Sequence, residues 1–397
     1  MTSVSVIVPV MNCGKYIDQC MESLMGQTYK DYEVLLMAGQ SRDDSLQKCL
    51  EWQKRDNRII VVSRKDSSLG DARNYALNMA KGKYILYVDA DDFIEPDYIE
   101  EMISPLEEDD EIDITCCGYR EYEDGREERT GFMPYTAGMI NSSFQGYLDL
   151  LGGKAARVWT KAYRKGWLTE NEIMQFDGCC EDQAVKFMLA ARVRKIYCIQ
   201  KDLYHYRIDN GESRVHTLTG NTDYPKSVAF GMEYLKNSGV YGKVREIAKR
   251  HIIGELLYIL DKLDNHEEMV QSGREFLESY FPDILDDYRQ YKSERMDIQE
   301  EGIILFGAGA ESVKVIEKMG KENISYIVDN NVELAGKKVG GMEIRPFSYL
   351  KKNYKPEEIV VITSYKYCQD MAHQLWDSGI HGFWMARDIM GGKAFVV

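Results

Sequence analysis

The chain has 397 residues, of which 44% are hydrophobic, and this length predicts two or three globular domains rather than one core or a disordered protein. Its formal net charge of -15 excludes a general nucleic-acid binder, because no broad basic surface is present to release counterions from phosphates. Local basic patches remain compatible with this charge.

The first hundred residues alternate short β-rich runs with helical patterns. Strands are predicted at Val4–Val8, Tyr32–Met37, Ile59–Ser63 and Tyr84–Val88. The helices between them are predicted near Lys15–Met25, Asp43–Arg55 and Gly70–Ala80. This alternation predicts an α/β fold, in which a mostly parallel sheet is flanked by helices and joined by right-handed crossovers.

The second hundred residues have a looser pattern of short strands and polar turns. It includes a charged loop at Arg120–Thr130 and a helix near Asp182–Ala191. Farther on the sequence is helical and highly charged, Ser293–Glu301 is typical of a linker, and a strand at Ile303–Phe306 opens a last α/β segment. We predict three parts: a larger α/β domain at 1–216, a helical region with a linker at 217–300, and a small α/β domain at 301–397.

The nine cysteines include no CxxC pair, and the six histidines form no tight cluster with them. This pattern favours reduced thiols in a cytosol and gives a zinc site little support. The N-terminus has no secretory signal pattern, and no stretch approaches the roughly 20 apolar residues of a spanning helix. We expect a cytoplasmic protein, with peripheral contact to the inner face of the membrane as an open alternative.

An apolar run from Lys83 to Val88 ends in three carboxylates, Asp89, Asp91 and Asp92. The run is typical of a buried parallel strand, and open α/β sheets bind ligands at the carboxyl ends of such strands. Burying crowded carboxylates is costly, so we expect this cluster to face water, to bind a cation, or both. A divalent cation there could bridge to a diphosphate. The alternative is a solvated acidic loop.

Further motifs accompany this cluster along residues 1–215. They are Val6-Ile7-Val8-Pro9, Asn12, Tyr16, Ser23, Gln27-Thr28-Tyr29, Gly70, Ala72-Arg73-Asn74, Gly82-Lys83-Tyr84, Asp89-Ala90-Asp91-Asp92, Trp159-Thr160-Lys161-Ala162-Tyr163, Glu181-Asp182, Tyr204-His205-Tyr206-Arg207 and Ser213. Their order and spacing resemble the family 2 glycosyltransferases of the GT-A fold. The resemblance implies an inverting, metal-dependent enzyme that moves a sugar from a nucleoside diphosphate donor to a hydroxyl acceptor, with Mn²⁺ or Mg²⁺ as cofactor.

The resemblance also implies roles for individual residues. Asp91 would ligate the metal, with Asp89 at the edge shared by the metal and the ribose, and Asp182 would deprotonate the acceptor. An in-line displacement needs such a carboxylate in any case, because a hydroxyl is a weak nucleophile. The alternative is that Glu181 and Asp182 only stabilise a helix start. The donor-binding residues implied by the resemblance are Pro9, Met11, Asn12, Arg73, Asp89, Ala90 and Asp91.

The candidates on the acceptor side are Glu181, Lys161, Tyr206 and Arg207, which either face the acceptor or brace the site. We expect a glycan or a lipid-linked acceptor, in surface polysaccharide or glycolipid assembly. A helix near Val244–Leu263 carries basic residues beside apolar ones and could touch anionic lipid. Packing against a protein core is the alternative for this helix.

Two positions depart from the family pattern. Met11 replaces the aromatic residue that usually precedes Asn12, and Ala38-Gly39 replaces two aspartates after the second strand. The Met11 thioether could still cover a base, but a carboxylate partner for a pyrimidine N–H is lost. A UDP-sugar is the expected donor, with an altered or degenerate nucleotide pocket as the alternative. The corresponding alternative function is a non-catalytic scaffold.

The last segment contains a partial dinucleotide-binding pattern. Gly307 and Gly309 follow a strand and open a helix, and Asp329 lies 20 residues after Gly309. These three residues are candidates for a second nucleotide site, through which the chain could act as a nucleotide-sensing regulator. Ser312 in place of the third glycine, and Glu311 beside the expected pyrophosphate, count against this site. The alternatives are a tight turn, and docking or homo-oligomerisation through a small Rossmann-like domain.

Overall fold

A computed structural model of the chain divides into two compact units, Met1–Val244 and Arg245–Val397. The predicted linker, Ser213 and both predicted domain boundaries lie outside the described residues, so the three-part division stays a prediction. The structure describes residues 2–65, 68–124, 126, 128–134, 137–151, 155–178, 180–210, 223–262, 267–283, 302–356, 358–364, 371, 374–375, 378–380 and 383–385.

The first unit begins with the predicted alternation of strands and helices. The strands are β1 (Val4–Val10), β2 (Tyr32–Ala38), β3 (Ile59–Ser63) and β4 (Tyr84–Tyr87). The helices are α1 (Ile17–Met25), α2 (Ser45–Arg55) and α3 (Leu69–Met79). All four strands pair in parallel, in the order β3-β2-β1-β4. The α/β class with a mostly parallel first half is therefore confirmed.

The remainder of this unit extends the sheet with antiparallel and parallel neighbours. In chain order its elements are β5 (Phe93–Ile94), α4 (Tyr98–Glu108), β6 (Ile114–Tyr122), β7 (Arg129–Phe132), β8 (Gly138–Asn141), α5 (Phe144–Leu151), β9 (Lys161–Arg164), α6 (Lys165–Glu170), α7 (Glu181–Arg192), β10 (Lys195–Arg207) and α8 (Tyr224–Asn237). Helix α9 (Tyr241–Lys262) begins at the end of this unit and belongs mostly to the second one. The sheet continues from β4 in the order β9-β6-β10-β5, with β9 antiparallel to both neighbours. The predicted polar loop at 120–130 is shorter than expected, because β6 and β7 extend into it.

The core explains why these strands are apolar throughout. Every residue of β1 and β2 is buried, and side chains of α1 and α4 join the strands in one cluster. The buried Glu33 carboxylate accepts bonds from the Ser5 hydroxyl and the Lys81 amide, both at 2.7 Å. The Gly82 amide donates in turn to Ser5 Oγ, and a Cβ at Gly82 would lie 2.4 Å from the Ser5 nitrogen. A side chain at Gly82 would therefore push β4 away from β1.

The second unit contains a separate sheet. Beyond helix α10 (Glu267–Tyr280) come β11 (Ile303–Phe306), α11 (Ala310–Met319), β12 (Ile324–Asp329), β13 (Lys338–Val339), β14 (Met342–Pro346), α12 (Phe347–Asn353), β15 (Ile359–Ile362) and β16 (Phe383–Met385). The strand order is β13-β14-β12-β11-β15-β16, and of the pairings between the described strands only that of β13 with β14 is antiparallel. The predicted small Rossmann-like module is thus present as a sheet with its own apolar core. Among the described residues, no helix is long and apolar enough to cross a membrane.

Candidate functional site

The carboxylate cluster forms a tight turn after β4. The Asp92 amide bonds to the Asp89 carbonyl at 3.1 Å, so the segment is bent rather than extended. Asp92 is only 1% exposed, and its carboxylate accepts bonds from the Tyr204 hydroxyl at 2.7 Å and the Arg207 amide at 2.8 Å. The expectation that the carboxylates face water is therefore wrong for Asp92. This residue braces the turn, because β10 supplies donors that satisfy it.

Asp89 and Asp91 remain on the partly exposed side of the turn, and Ala90 between them is buried. Asn210 donates to Asp91 Oδ2 at 2.8 Å. Burial, and then the negative charge of Asp89, raise the pKa of Asp91. A bound cation would reduce the repulsion between these two neighbouring carboxylates.

Arg73 joins this turn to the predicted base region. Its guanidinium is 2.5 Å from Asp89 Oδ1 and 2.6 Å from Glu181 Oε1, and it also donates to Gln175. The side chain is 2% exposed. Burial disfavours the charged guanidinium, but Asp89 and Glu181 outweigh it, so the pKa of Arg73 is raised. Arg73 is therefore a buried bridge between two carboxylates, and its predicted contact with the donor stays a prediction.

Glu181 and Asp182 are the first two residues of α7. The N-cap is Cys180, with a left-handed φ of 56° and no side-chain capping bond, so neither acid is the capping residue. Burial raises the pKa of Glu181 to about 7, against the opposing charge of Arg73. Burial also raises the pKa of Asp182, while Arg73, Lys186 and Arg157 lower it. Glu181 thus has a pKa suited to proton transfer near neutral pH, and the pKa of Asp182 is shifted in the same direction.

The predicted acceptor-side residues make bracing contacts. Lys161 is fully buried, donates to the Arg157 carbonyl at 2.6 Å, and has its pKa lowered to about 8 by burial. Tyr206 stacks on Trp159 with ring centroids 5.4 Å apart. Arg207 donates from Nε to the Asp91 carbonyl at 3.0 Å. Of the two alternatives for these residues, bracing is what the structure displays, and contact with an acceptor stays a prediction.

The predicted nucleotide loop lies where β1 and β2 end, with Pro9 inside β1. Met11 is 45% exposed, and Asn12 has a left-handed φ of 53° and accepts a bond from the Arg42 amide at 2.8 Å. The Gly39 amide bonds to the Val10 carbonyl at 2.9 Å. The two departures from the family pattern, Met11 and Ala38-Gly39, are therefore neighbours. Residues 38–41 are all described and carry no carboxylate.

Four contact residues were missed by the sequence analysis as site residues: Tyr204, Gln175, Asn210 and Arg157. Tyr204 accepts from the Asp89 amide at 3.0 Å while donating to Asp92. Its position in an aromatic strand gave no sign of this polar role. Asn210 lies three residues beyond the end of β10, whose last residues belong to the recognised motif, and this position was a usable signal.

The predicted second nucleotide site lies between β11, α11 and β12. The Ala308 amide donates to the Asp329 carboxylate at 2.7 Å, and the Ser312 hydroxyl donates to the Gly307 carbonyl at 2.6 Å. Gly307 has a φ of 113°, as a tight strand-to-helix turn requires. Gly307, Gly309 and Asp329 are thus brought together, and nucleotide binding there stays a prediction.

Known proteins with a similar sequence include bacterial glycosyltransferases. The chain is 32% identical over 213 residues to the glycosyltransferase EpsH of Bacillus subtilis, covering 52% of this chain and 61% of that protein. It is 38% identical over 113 residues to the chondroitin synthase of Escherichia coli, covering 28% of this chain and 16% of that one. The chain therefore spans less than two thirds of these relatives.

A solved structure with a similar fold is S. aureus TarS 1–349 in complex with UDP-GlcNAc. Its TM-score is 0.59 at 21% identity, over 70% of this chain and 81% of that one. This likeness establishes the fold, which is GT-A. The sequence model described as Glycosyl transferase family 2 matches residues 5–166, which contain the β4 turn and Arg73. Residues 5–166 are therefore similar to glycosyl transferase family 2.

Proposed function

We propose that the protein is an inverting glycosyltransferase that moves a sugar from a nucleoside diphosphate donor to a hydroxyl acceptor. One observation carries this proposal: the buried Arg73 ties Asp89 to Glu181. The donor-side turn and the residue next to the proposed base are thereby held in one arrangement. Such rigid positioning of reacting groups is what a displacement between two substrates requires.

The donor set at the β4 turn fits a divalent cation. Asp89 and Asp91 offer hard carboxylate oxygens of the kind that Mn²⁺ and Mg²⁺ accept. Among the described residues, no group of three or more acidic, histidine or cysteine ligands is present, so a bound cation would complete its shell with diphosphate oxygens and water. When bound, the cation would neutralise charge on the departing diphosphate.

Asp182 is the proposed base. Its carboxylate would take the proton of the acceptor hydroxyl as the oxygen attacks the anomeric carbon. The bond from that carbon to the diphosphate oxygen breaks on the opposite face, so the configuration inverts. A raised pKa favours this role, because a base works best when its pKa approaches the operating pH. Glu181 and Arg73 would hold the helix start in place.

The relatives support our proposal for the donor and the biological setting. TarS with bound UDP-GlcNAc supports a nucleotide-sugar donor, and we propose a UDP-hexose. The chondroitin synthase supports a role in polysaccharide assembly. A glycan or lipid-linked acceptor and a cytoplasmic location are further parts of our proposal. A non-catalytic scaffold is the second candidate, because no carboxylate replaces the family's aspartates at residues 38–41.

Calorimetric titration with UDP, with and without Mn²⁺, tests the donor site. We expect Mn²⁺-dependent binding that Asp91→Asn abolishes. Asp110→Asn is the matched control, since the side chain of Asp110 is 90% exposed. Asp182→Asn should bind UDP normally while the transfer rate falls about 10²- to 10⁴-fold, the range for a lost general base. Absence of binding by UDP, GDP, ADP and CDP would favour the scaffold.

A further inference from the structure

Arg157 occupies an aromatic cage in the first unit. Its guanidinium carbon lies 4.7 Å from the ring centroid of Tyr119, 5.1 Å from that of Trp159 and 5.3 Å from that of Tyr206. The three rings come from β6, the turn at Val158–Thr160 and β10. Because three separate elements hold it, the guanidinium has a fixed position.

Arg157 differs from the other two arginines of the site in how its charge is paired. Arg73 is paired with Asp89 and Glu181, and Arg207 is paired with Asp124 and Asp209. Arg157 forms no ion pair with any described residue, and its Nη1 is buried without a hydrogen-bond partner of ordinary geometry. Aromatic faces offset only part of the cost of desolvating a cation. The positive charge therefore has no described counter-ion, although the Tyr119 hydroxyl also interacts with the guanidinium.

The position of Arg157 indicates which substrate it would meet. Its charge acts on Asp182, whose pKa it lowers after burial has raised it. Arg157 also contacts two of the predicted acceptor-side residues, since Lys161 bonds to its carbonyl and Tyr206 packs on its guanidinium. The charge of Arg157 is thus linked to the proposed base and to two predicted acceptor-side residues.

We propose that Arg157 binds an anionic group of the acceptor, next to the hydroxyl that Asp182 deprotonates. This proposal rests on the proposed function and adds a substrate class to it: acceptors that carry a phosphate or a carboxylate near the attacked hydroxyl. A guanidinium can bind either oxyanion through two parallel hydrogen bonds. The aromatic cage fixes the guanidinium without neutralising it, as a carboxylate partner would.

The test uses the full chain saturated with UDP and Mn²⁺, so that the donor site is filled. Glycerol 3-phosphate, glycerate and glycerol are titrated by calorimetry as small probes with and without an anion. We expect at least one of the two anionic probes to bind and glycerol not to bind. The phosphate and carboxylate probes distinguish the two sources of the oxyanion. Arg157→Met should weaken anion binding at least tenfold while leaving UDP affinity unchanged.

Two further variants keep the result interpretable. Arg192→Met removes a guanidinium 5.5 Å from the Tyr234 ring, about 15 Å along α7 from Asp182, and should bind the anions normally. Arg157→Lys keeps the charge without the planar fork, so its affinity should be intermediate, and it replaces Arg157→Met if that variant does not fold.

Three results would overturn the inference: no anion binding by the wild type, equal binding by Arg157→Met, or a parallel loss of UDP affinity, which would make Arg157 a donor contact. Failure of UDP itself to bind with Mn²⁺ would instead count against the proposed function. The anion titration is therefore repeated without nucleotide. If the anions bind in that titration and Arg157→Met weakens their binding, the anion site is supported even though the donor site is not.

Discussion

Burial and neighbouring cations shift the pKa of Asp182 in opposite directions. Burial raises its pKa, and Arg73, then Lys186, then Arg157 lower it. A general base is active only when deprotonated, so the transfer rate should fall as pH drops through this pKa. Because the pKa is raised, the acid limb of the rate profile should lie above the usual range for an aspartate.

Lys186→Met removes one of the cations that favour ionised Asp182. We expect the acid limb of kcat/KM to move to higher pH, by about one unit. The plateau rate at high pH should change little, since Asp182 is then ionised in both proteins. The measurement is a pH-rate profile of the full chain. Lys226→Met, whose side chain is half exposed and pairs with Asp223, is the control and should leave the limb in place. An acid limb that moved to lower pH, or did not move, would contradict the assignment of Asp182 as base.

At the scale of elements, the site depends on how closely α3 approaches the segment before α7. Gly70 makes this approach possible, because a Cβ there would lie 1.9 Å from the Phe176 carbonyl oxygen and 3.1 Å from the Glu181 Cβ. Arg73 lies three residues later on α3 and reaches Glu181 from there. Gly70 thus permits the close approach of α3 that allows Arg73 to contact Glu181.

Gly70→Ala should therefore displace α3 from this segment. We expect the free energy of unfolding to fall by about 1–3 kcal/mol, as for other overpacked contacts, and the transfer rate to fall with it. Chemical denaturation and a transfer assay measure the two effects. Gly242→Ala is the control, because nothing lies within 4 Å of a Cβ there. Full stability and activity in Gly70→Ala would show that the contact can relax without cost.

For the whole molecule, the two units have separate cores. The larger cluster runs from Val4 to Tyr204, and the smaller one from Ile304 to Phe383. Gly307 in the second unit combines a left-handed φ of 113° with a Cβ position 2.7 Å from Thr363 Oγ1. A substitution at Gly307 therefore strains the core of the second unit and leaves the core residues of the first unit unchanged.

Gly307→Ala should destabilise the second unit by about 1–3 kcal/mol, the range for a strained backbone. UDP binding in the presence of Mn²⁺ should keep its wild-type affinity. Calorimetric unfolding measures the first effect and titration the second. Gly309→Ala, in the same loop but with nothing within 4 Å of its Cβ, should unfold like the wild type. A loss of UDP affinity in Gly307→Ala would mean that the two units are functionally coupled.

The sequence by itself determined the architecture of both units. Alternating apolar runs and helical patterns predicted β1 to β4 and the sheet containing β11, because strands buried on both faces must be apolar throughout. The recognised motifs also predicted that the β4 turn, Arg73 and the start of α7 belong to one site. These signals are local in the chain, so they can be read without coordinates.

Only the tertiary structure decided how the charges are paired. Asp89, Asp91 and Asp92 look equivalent in the sequence, yet Asp92 is buried under Tyr204 and Arg207. Arg73 proved to be a bridge between carboxylates, and Arg157 a caged cation without a described counter-ion. Several of these contacts, including Arg73 with Glu181 and Asp92 with Tyr204 and Arg207, join residues more than a hundred positions apart in the chain. No local sequence pattern shows which charges are paired. This pairing distinguishes the residues that brace the site from those proposed to act on a substrate.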